Sequence, residues 1–181
     1  MDNVIKKYFN PNGVEHKWSL VGYEQYTINK KIKMSTYTQI LYQIVFSTKN
    51  REPSLVKESR ERLFRYIWGI LKHKKCHLYR INGMEDHIHI LTSLHPSLAL
   101  SDLVKDIKVA SSKFIREDQV FPNFGYWQNG YGAFTYSYDA KEVLIAYIKN
   151  QEEHHKNISF LDEYKTLLRE FEIEFEEKYL V

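Results

Sequence analysis

Strand-like and helix-like segments alternate between residues 36 and 136 in an order that few folds accommodate. Runs rich in β-branched and aromatic residues predict strands, and apolar residues spaced three and four apart predict helices. The predicted strands cover residues 36–48, 77–81 and 87–91, and residues 126–136 predict a hairpin or a bent fourth strand. The predicted helices begin at Pro53, Ser101, Asp139 and Ser159. The order β-α-β-β-α-β-α-α predicts an α+β fold: a split βαβ (ferredoxin- or RRM-like) antiparallel sheet with helices packed on one face.

Capping signals set the expected limits of the later helices. Ser101 is a good N-cap residue for the second helix. The segment Asp139-Ala140-Lys141-Glu142 is an analogue of the capping box, so we predict a helix from Asp139 to about His155. A last amphipathic, acidic helix is expected from Ser159 to about Lys178.

Residues 1–33 differ in character from the regular pattern that follows. Asn10-Pro11-Asn12-Gly13 is a turn cluster, and Lys30, Lys31 and Lys33 form a basic run just before Met34. Met34, where the regular pattern begins, is itself a candidate original start. We therefore predict an N-terminal extension of unknown role over residues 1–33 and one domain over residues 34–181.

The charge is distributed unevenly along the chain. The formal net charge is +3, but residues 1–151 carry an excess of eight positive charges and residues 152–181 an excess of five negative ones. A basic body favours a polyanionic partner such as nucleic acid. The single cysteine, Cys76, excludes a disulfide framework and a multi-cysteine zinc site. Without an apolar run of roughly 20 residues or a signal-peptide core, we expect a cytoplasmic protein with no membrane partner.

The segment His87-Ile88-His89 is the first candidate for chemistry. Alternate side chains of a strand share a face, so both imidazoles point the same way while Ile88 and Ile90 point to the other side. Imidazole is the commonest metal-binding side chain, and the pair therefore suits a divalent cation. Such a pair also occurs in strands without any metal, and two ligands do not complete a site.

Tyr147 and Gln151 are the second candidate pair. Four residues apart, they are neighbours on one face of the predicted helix, with about 5–6 Å between their Cβ atoms. A phenolic oxygen and an amide oxygen can both act on a metal or a reacting group. Alternatively, Tyr147 packs beside Leu144 and Ile148 in a core stripe, with Gln151 at the solvent boundary. The spacing alone leaves both interpretations open.

The combination of these segments resembles a known family. The strand with His87-Ile88-His89 is followed by a helix with Tyr147-Ile148-Lys149-Asn150-Gln151, then by Glu153-His154-His155 and residues 160–164 (Phe-Leu-Asp-Glu-Tyr). The block 83–91 (Gly-Met-Glu-Asp-His-Ile-His-Ile-Leu) is the most specific part. This combination is similar to the single-tyrosine HUH transposases of bacterial insertion sequences, the IS200-like TnpA type. The resemblance extends from about Met34 to Tyr164.

The resemblance implies a site and an activity. The family's metal-binding histidines fall on His87 and His89, the glutamine that completes the metal site falls on Gln151, and the nucleophilic tyrosine falls on Tyr147. The implied protein is a DNA transposase, a site-specific single-strand DNA endonuclease and strand-transferase that acts through a 5′-phosphotyrosine intermediate and moves an insertion sequence. Its implied cofactor is a divalent metal ion, Mg²⁺ or Mn²⁺.

The resemblance also implies partners. These are single-stranded DNA with a subterminal hairpin and a second copy of the chain in a homodimer, whose active site is formed either within one subunit or between two. One alternative is a domesticated HUH nuclease acting on repeated hairpin DNA. Another is a non-catalytic nucleic-acid-binding module on the same sheet, against which the presence of all four site residues argues.

A basic helix followed by aromatic residues is the candidate DNA-binding surface. Single-stranded DNA binds where basic side chains track the backbone and aromatic rings stack on bases. The basic residues of the second predicted helix are Lys105, Lys108, Lys113 and Arg116, and the aromatic residues after it are Tyr126, Trp127, Tyr131, Phe134 and Tyr136. The alternative interpretation is a solvated helix face followed by core residues of the sheet.

Overall fold

The computed structural model describes residues 7–9, 15–17 and 36–180 and divides the chain into two compact units, Met1–Ser35 and Thr36–Val181. In the first unit, strands β1 (Lys7–Phe9) and β2 (Glu15–Lys17) pair antiparallel. The predicted turn at residues 10–13 and the basic run before Met34 lie outside the described residues. The extension over residues 1–33 stays a prediction.

The second unit is built on a four-stranded antiparallel sheet. Its strands are β3 (Leu41–Ser47), β4 (His77–Gly83), β5 (His87–Ser93) and β6 (Gly132–Tyr136), in the spatial order β4-β5-β3-β6. Helix α1 (Lys57–His73) connects β3 to β4, and α2 (Leu100–Glu117) lies between β5 and β6. This topology confirms the predicted α+β fold of the split βαβ type.

Helices α1 and α2 pack against one face of the sheet. Ile44 and Phe46 of β3 and Ile88 and Ile90 of β5 share a buried cluster with apolar residues of both helices. The helical members of this cluster include Leu63, Ile67 and Leu71 of α1 and Leu103, Val104 and Ile107 of α2. The apolar residues spaced three and four apart in α1 and α2 therefore form this core. Period-two alternation along β5 places His87 and His89 on the opposite face of the sheet.

The opposite face is also covered, which goes beyond the expectation of helices on one face. Helices α3 (Lys141–Lys149), α4 (Gln151–His154) and α5 (Phe160–Glu170) follow β6. Leu144 and Ile148 of α3 pack on Leu91, while Phe160 of α5 joins a cluster that contains Val45. The two histidines consequently lie in a closed layer between sheet and helices, not on an open surface.

The helix predicted from Asp139 to about His155 starts later and is interrupted, although its end is close to the prediction, since α4 ends at His154 with His155 as its C-cap. Residues Tyr138–Ala140 form a 3-10 turn, so Asp139 lies inside that turn, and the N-cap of α3 is Ala140, without a side-chain cap. Asn150, at φ −95° and ψ 20°, separates α3 from α4. Asn82 of β4 stabilises this break by donating its amide to the carbonyls of Ile148 and Lys149, at 2.9 and 3.1 Å.

Other predicted limits were only partly right. Ser159 does cap α5, where its hydroxyl accepts from the Asp162 amide at 3.2 Å. However, α5 ends at Glu170 and is followed by Glu172 in the left-handed region (φ 53°), so the chain leaves the helix well before Lys178. Helix α2 begins one residue before Ser101, which therefore does not cap it. None of the described helices combines the length and the apolar composition that a membrane span requires.

Gly83, at the end of β4, has no room for a side chain. A Cβ there would lie 2.3 Å from the His87 carbonyl oxygen and 2.8 Å from Ile88 Cα, both of them backbone atoms. We expect Gly83→Ala to reduce the free energy of unfolding by at least about 2 kcal/mol. Gly69→Ala in α1 is the matched control: a Cβ there meets nothing within 4 Å, so helix propensity should stabilise it by about 0.5–1 kcal/mol. Equal urea midpoints for the two variants would contradict this prediction.

Candidate active site

Strand β5 carries His87 and His89 side by side on the face of the sheet opposite α1 and α2, which we call the histidine face. Both side chains are fully buried, and their ring centroids lie 5.1 Å apart. The His87 Nδ1–H donates to Asp86 Oδ1 at 2.6 Å, which directs Nε2 into the site. Burial lowers the pKa of His87 although Asp86 opposes the shift. Neutral imidazole is the form that binds metals.

His89 has a partner that sequence reasoning missed. Gln43, fully buried on β3, has one end of its side-chain amide 3.2 Å from His89 Nδ1 and the other end 2.8 Å from the Tyr136 hydroxyl. A chain of contacts thus runs from Tyr136 through Gln43 to His89 and holds the orientation of this ring. The available signal was a glutamine within the apolar run of β3, which is costly to bury unless its amide is bonded.

Tyr147 projects from α3 toward the same centre. Its ring centroid lies 6.1 Å from that of His89, and its hydroxyl donates a short hydrogen bond to Glu163 Oε1. Burial, and then the negative charge of Glu163, raises the pKa of Tyr147 above its ordinary value. The hydroxyl is therefore protonated at neutral pH, with an acceptor already in place.

Gln151, at the start of α4, is fully buried beside His87. Its Oε1 lies 3.5 Å from His87 Nε2, and its Nε2 donates to Glu163 Oε1 at 3.0 Å. Tyr147 and Gln151 thus share one neighbour despite the break at Asn150. The fold brings together all four residues that the resemblance had implied.

Glu163 of α5 and His155 complete the cluster, and neither was among the predicted site residues. Glu163 Oε2 lies 3.3 Å from the Nε2 atoms of both His89 and His155. Although burial opposes it, the neighbouring imidazoles of His155 and His89 hold the pKa of Glu163 well below its usual range. Glu163 was within the segment that carried the resemblance, but nothing in its spacing connected it to the distant strand β5.

The cluster has the donor set of a divalent-cation site. One ligand atom from each of His87, His89, His155 and Glu163 lies within 4.8 Å of the others. Among the described residues, His89 Nε2, His155 Nε2 and Glu163 Oε2 are buried atoms without a hydrogen-bond partner. Buried polar atoms without partners are costly, so a bound cation fits this centre.

The predicted DNA-binding residues of α2 differ in their surroundings. Lys105, Lys113 and Arg116 are exposed, and Lys113 lies 3.7 Å from Glu117. The Lys108 ammonium donates to the carbonyls of Gln128, at 2.8 Å, and of Gly130. Burial lowers the pKa of Lys108 to about 8, so it is still mainly charged at neutral pH. Lys108 therefore holds the segment before β6 against α2.

Four of the five aromatic residues predicted to stack on bases separate into two groups, and the fifth, Tyr136, is the half-buried partner of Gln43. Trp127 and Phe134 are core residues, 5% and 1% exposed, so the expectation of base stacking is wrong for them. Tyr126 and Tyr131 are exposed at 55% and 37%. They line a groove together with Lys105, Lys108 and Arg116, between α2 and residues 126–131. We refer to this groove as the basic groove.

The chain is similar to transposases over most of its second unit. Residues 36–151 match the family model described as "Transposase IS200 like". The ISDra2 transposase TnpA of Deinococcus radiodurans is 27% identical over 118 aligned positions, and the match covers 62% of this chain and 84% of that protein.

Two solved structures share the fold. One, described as a transposase from Deinococcus radiodurans R1, is 26% identical with a TM-score of 0.51 and covers 66% of this chain and 96% of that one. The other is a REP-associated tyrosine transposase bound to a REP hairpin, 16% identical with a TM-score of 0.50, covering 67% of this chain and 74% of that one.

Proposed function

The chain belongs to the family of IS200-like transposases, and on this basis we propose that it cleaves and rejoins single-stranded DNA with Tyr147 as its nucleophile. The observation that carries the proposal is the convergence of Tyr147 and Gln151 with His87 and His89 in one buried centre. These residues come from α3, α4 and β5, so their meeting is a property of the fold and not of local spacing.

Tyr147 is the proposed nucleophile, and Glu163 accepts its hydrogen bond. Tyr147 Oη attacks phosphorus, the bond to the 3′ oxygen breaks, and the 5′ side of the break stays joined to the tyrosine. The 3′ oxygen leaves as a hydroxyl, and the proton that it gains balances the one that Tyr147 loses. This phosphotyrosine conserves the bond energy that rejoining needs. Because the pKa of Tyr147 is raised, its proton must leave as the new bond forms, and Glu163 Oε1 already accepts that proton's hydrogen bond.

The metal-binding residues account for activation of the phosphate. His87, His89 and Gln151 would hold a divalent cation, Mg²⁺ or Mn²⁺, which when bound polarises the scissile phosphate and neutralises charge developing on its oxygens. The Asp86 and Gln43 contacts keep the two imidazoles oriented toward this position. Mn²⁺ accepts imidazole more readily than Mg²⁺ does.

A labelled oligonucleotide tests the proposed function. We expect cleavage of single-stranded DNA that carries the chain's own element end and hairpin, with a covalent protein–DNA band on a denaturing gel in Mg²⁺ or Mn²⁺. The double-stranded form and reactions in EDTA should give no band. Equal cleavage in EDTA would contradict the role of a metal. DNA flanking the gene distinguishes a mobile element from a domesticated nuclease on repeated hairpins.

The basic groove is our proposed path for the DNA backbone. We expect Lys105→Ala and Arg116→Ala each to weaken single-strand binding about five-fold, equivalent to about 1 kcal/mol, and to reduce the salt slope by about 0.7. Lys113→Ala is the matched control because Lys113 pairs with Glu117 and does not line the groove. Lys108→Ala should weaken DNA binding mainly because residues 126–131 lose the hydrogen bonds that keep this segment ordered. Fluorescence anisotropy at several salt concentrations measures all four variants, and an equal loss in Lys113→Ala would contradict this path.

We also propose a homodimer, because transposition holds two DNA ends together and two-fold symmetry supplies two equivalent sites. The Tyr147 ring lies next to the His89 ring of the same chain. A site formed within one subunit is therefore the arrangement that this geometry favours.

A further inference from the structure

We propose that His155 and Glu163 are metal ligands, so that the chain holds its cation with three imidazoles and one carboxylate. The inference rests on the proposed function only in that a cation binds at His87 and His89. It goes beyond a site made of these histidines and Gln151. It also places a ligand on α5, beyond residues 36–151 that match the family model.

The distances are those of one coordination sphere. A tetrahedral ion with bonds of about 2.1 Å separates its ligand atoms by about 3.4 Å. Glu163 Oε2 lies 3.3 Å from His89 Nε2, 3.3 Å from His155 Nε2 and 3.9 Å from His87 Nε2. All four ligand atoms lie within 4.8 Å of one another, so the widest pair would have to approach by at most about 1.4 Å to reach this spacing.

The tautomers direct lone pairs to the same point. His155 Nδ1 lies 2.8 Å from the Ile158 carbonyl oxygen, which can only accept, so Nδ1 must carry a proton. His87 Nδ1 is fixed in the same way by Asp86. In the neutral rings the Nε2 lone pairs of His155 and His87 therefore face Glu163 Oε2, which is itself an acceptor. A cation among these atoms would bind the lone pairs of all three.

The position of Glu163 is secured independently of any metal. Phe160, Leu167 and Leu168 of α5 pack with Val45 and Phe134 on the histidine face of the sheet. Glu163 itself is only 4% exposed. Its second oxygen, Oε1, accepts from Gln151 and Tyr147, so the carboxylate connects the cation position to the nucleophile. In this arrangement Gln151 orients Glu163.

The donor set predicts which ions bind. Three nitrogens and one carboxylate oxygen suit Zn²⁺, Co²⁺ or Mn²⁺, whereas Mg²⁺ prefers six oxygen ligands. We therefore expect the full chain to bind one Co²⁺ with the intense visible absorption of a four-coordinate ion. Mg²⁺ should compete only weakly.

Metal titration of the EDTA-treated, dialysed full chain is the test. Co²⁺ absorption and Zn²⁺ calorimetry should show that Glu163→Gln and His155→Asn each weaken affinity at least about 100-fold, beyond most losses of an outer-shell partner. Gln151→Leu should weaken it less than Glu163→Gln does. Glu153→Gln, at an exposed glutamate paired with Lys156, is the matched control and should bind like the wild type. Thermal unfolding in EDTA verifies that each variant is folded.

Two results would overturn the inference. If Glu163→Gln and His155→Asn bind Co²⁺ like the wild type while His87→Ala does not, the site consists of His87, His89 and Gln151. If the wild type binds neither Co²⁺ nor Zn²⁺, His155 and Glu163 form an ion pair instead. The covalent DNA adduct and its dependence on Tyr147 are measured separately, so either result leaves the test of the proposed function intact.

Discussion

Replacing Tyr147 by phenylalanine should abolish covalent attachment of the chain to DNA while leaving it folded and able to bind DNA. The change removes only the hydroxyl and keeps the ring that packs beside Leu144 and Ile148. Loss of a catalytic nucleophile removes the reaction path itself, so we expect cleavage to fall by at least about 10³-fold. Loss of the hydrogen bond to Glu163 should cost no more than about 3 kcal/mol of stability.

Denaturing gels with labelled single-stranded DNA measure the adduct, and peptide mapping locates it. Tyr164→Phe is the matched control, because that tyrosine is also partly buried on the histidine face, where its ring stacks on Phe160 at 5.6 Å between centroids. Tyr164→Phe should form the adduct at the wild-type rate. An adduct that persists in Tyr147→Phe, or maps to Tyr131, Tyr136, Tyr138 or Tyr164, would refute the assignment.

Replacing His87 by alanine should abolish cleavage by a different route, through loss of metal binding. His87 is fully buried and stacks on Phe160, with ring centroids 4.1 Å apart. Its removal eliminates a ligand and also leaves a cavity, so we expect at least about a 10³-fold loss of cleavage and about 2–4 kcal/mol of stability. Binding of single-stranded DNA should persist, since the basic groove lies on α2 and residues 126–131.

Calorimetry measures the loss of Mn²⁺ binding, and the cleavage assay measures the loss of activity. His87→Asn retains more of the side-chain volume and should also lose the metal, which separates ligation from packing. His95→Ala, in an exposed loop where His95 contacts Ser97, is the control that should change neither quantity. Cleavage by a folded His87→Asn variant at the wild-type rate would contradict the proposed metal site.

Mixing the Tyr147→Phe and His87→Ala chains tests where the active site is formed. If each subunit uses its own tyrosine and histidines, as the geometry of the chain favours, the mixture stays inactive. Recovered cleavage would require a site shared between subunits. Sedimentation of the wild type at micromolar concentration establishes whether the dimer forms.

The sequence patterns predicted the sheet well because the alternation of residues along a strand depends on which of its faces is apolar. Alternation in β5 places Ile88 and Ile90 in the core and the two histidines on the other face, a consequence of strand geometry alone. The helical stripes of α1 and α2 were recognisable for the same reason. The limits of α3 and α4 were not, because the break at Asn150 depends on hydrogen bonds that Asn82 donates to the carbonyls of Ile148 and Lys149, 66 and 67 residues later in the chain.

The sequence by itself predicted the order of strands and helices along the chain, the paired histidines and, through its resemblance to a family, the four candidate site residues Tyr147, His87, His89 and Gln151. Only the tertiary structure decided that α5 closes the histidine face and brings Glu163 within 3.3 Å of His89. It also decided that Gln43 is the partner of His89. The physical reason is that periodicity reveals which face of an element is apolar, whereas the meeting of side chains from separate elements depends on how those faces pack.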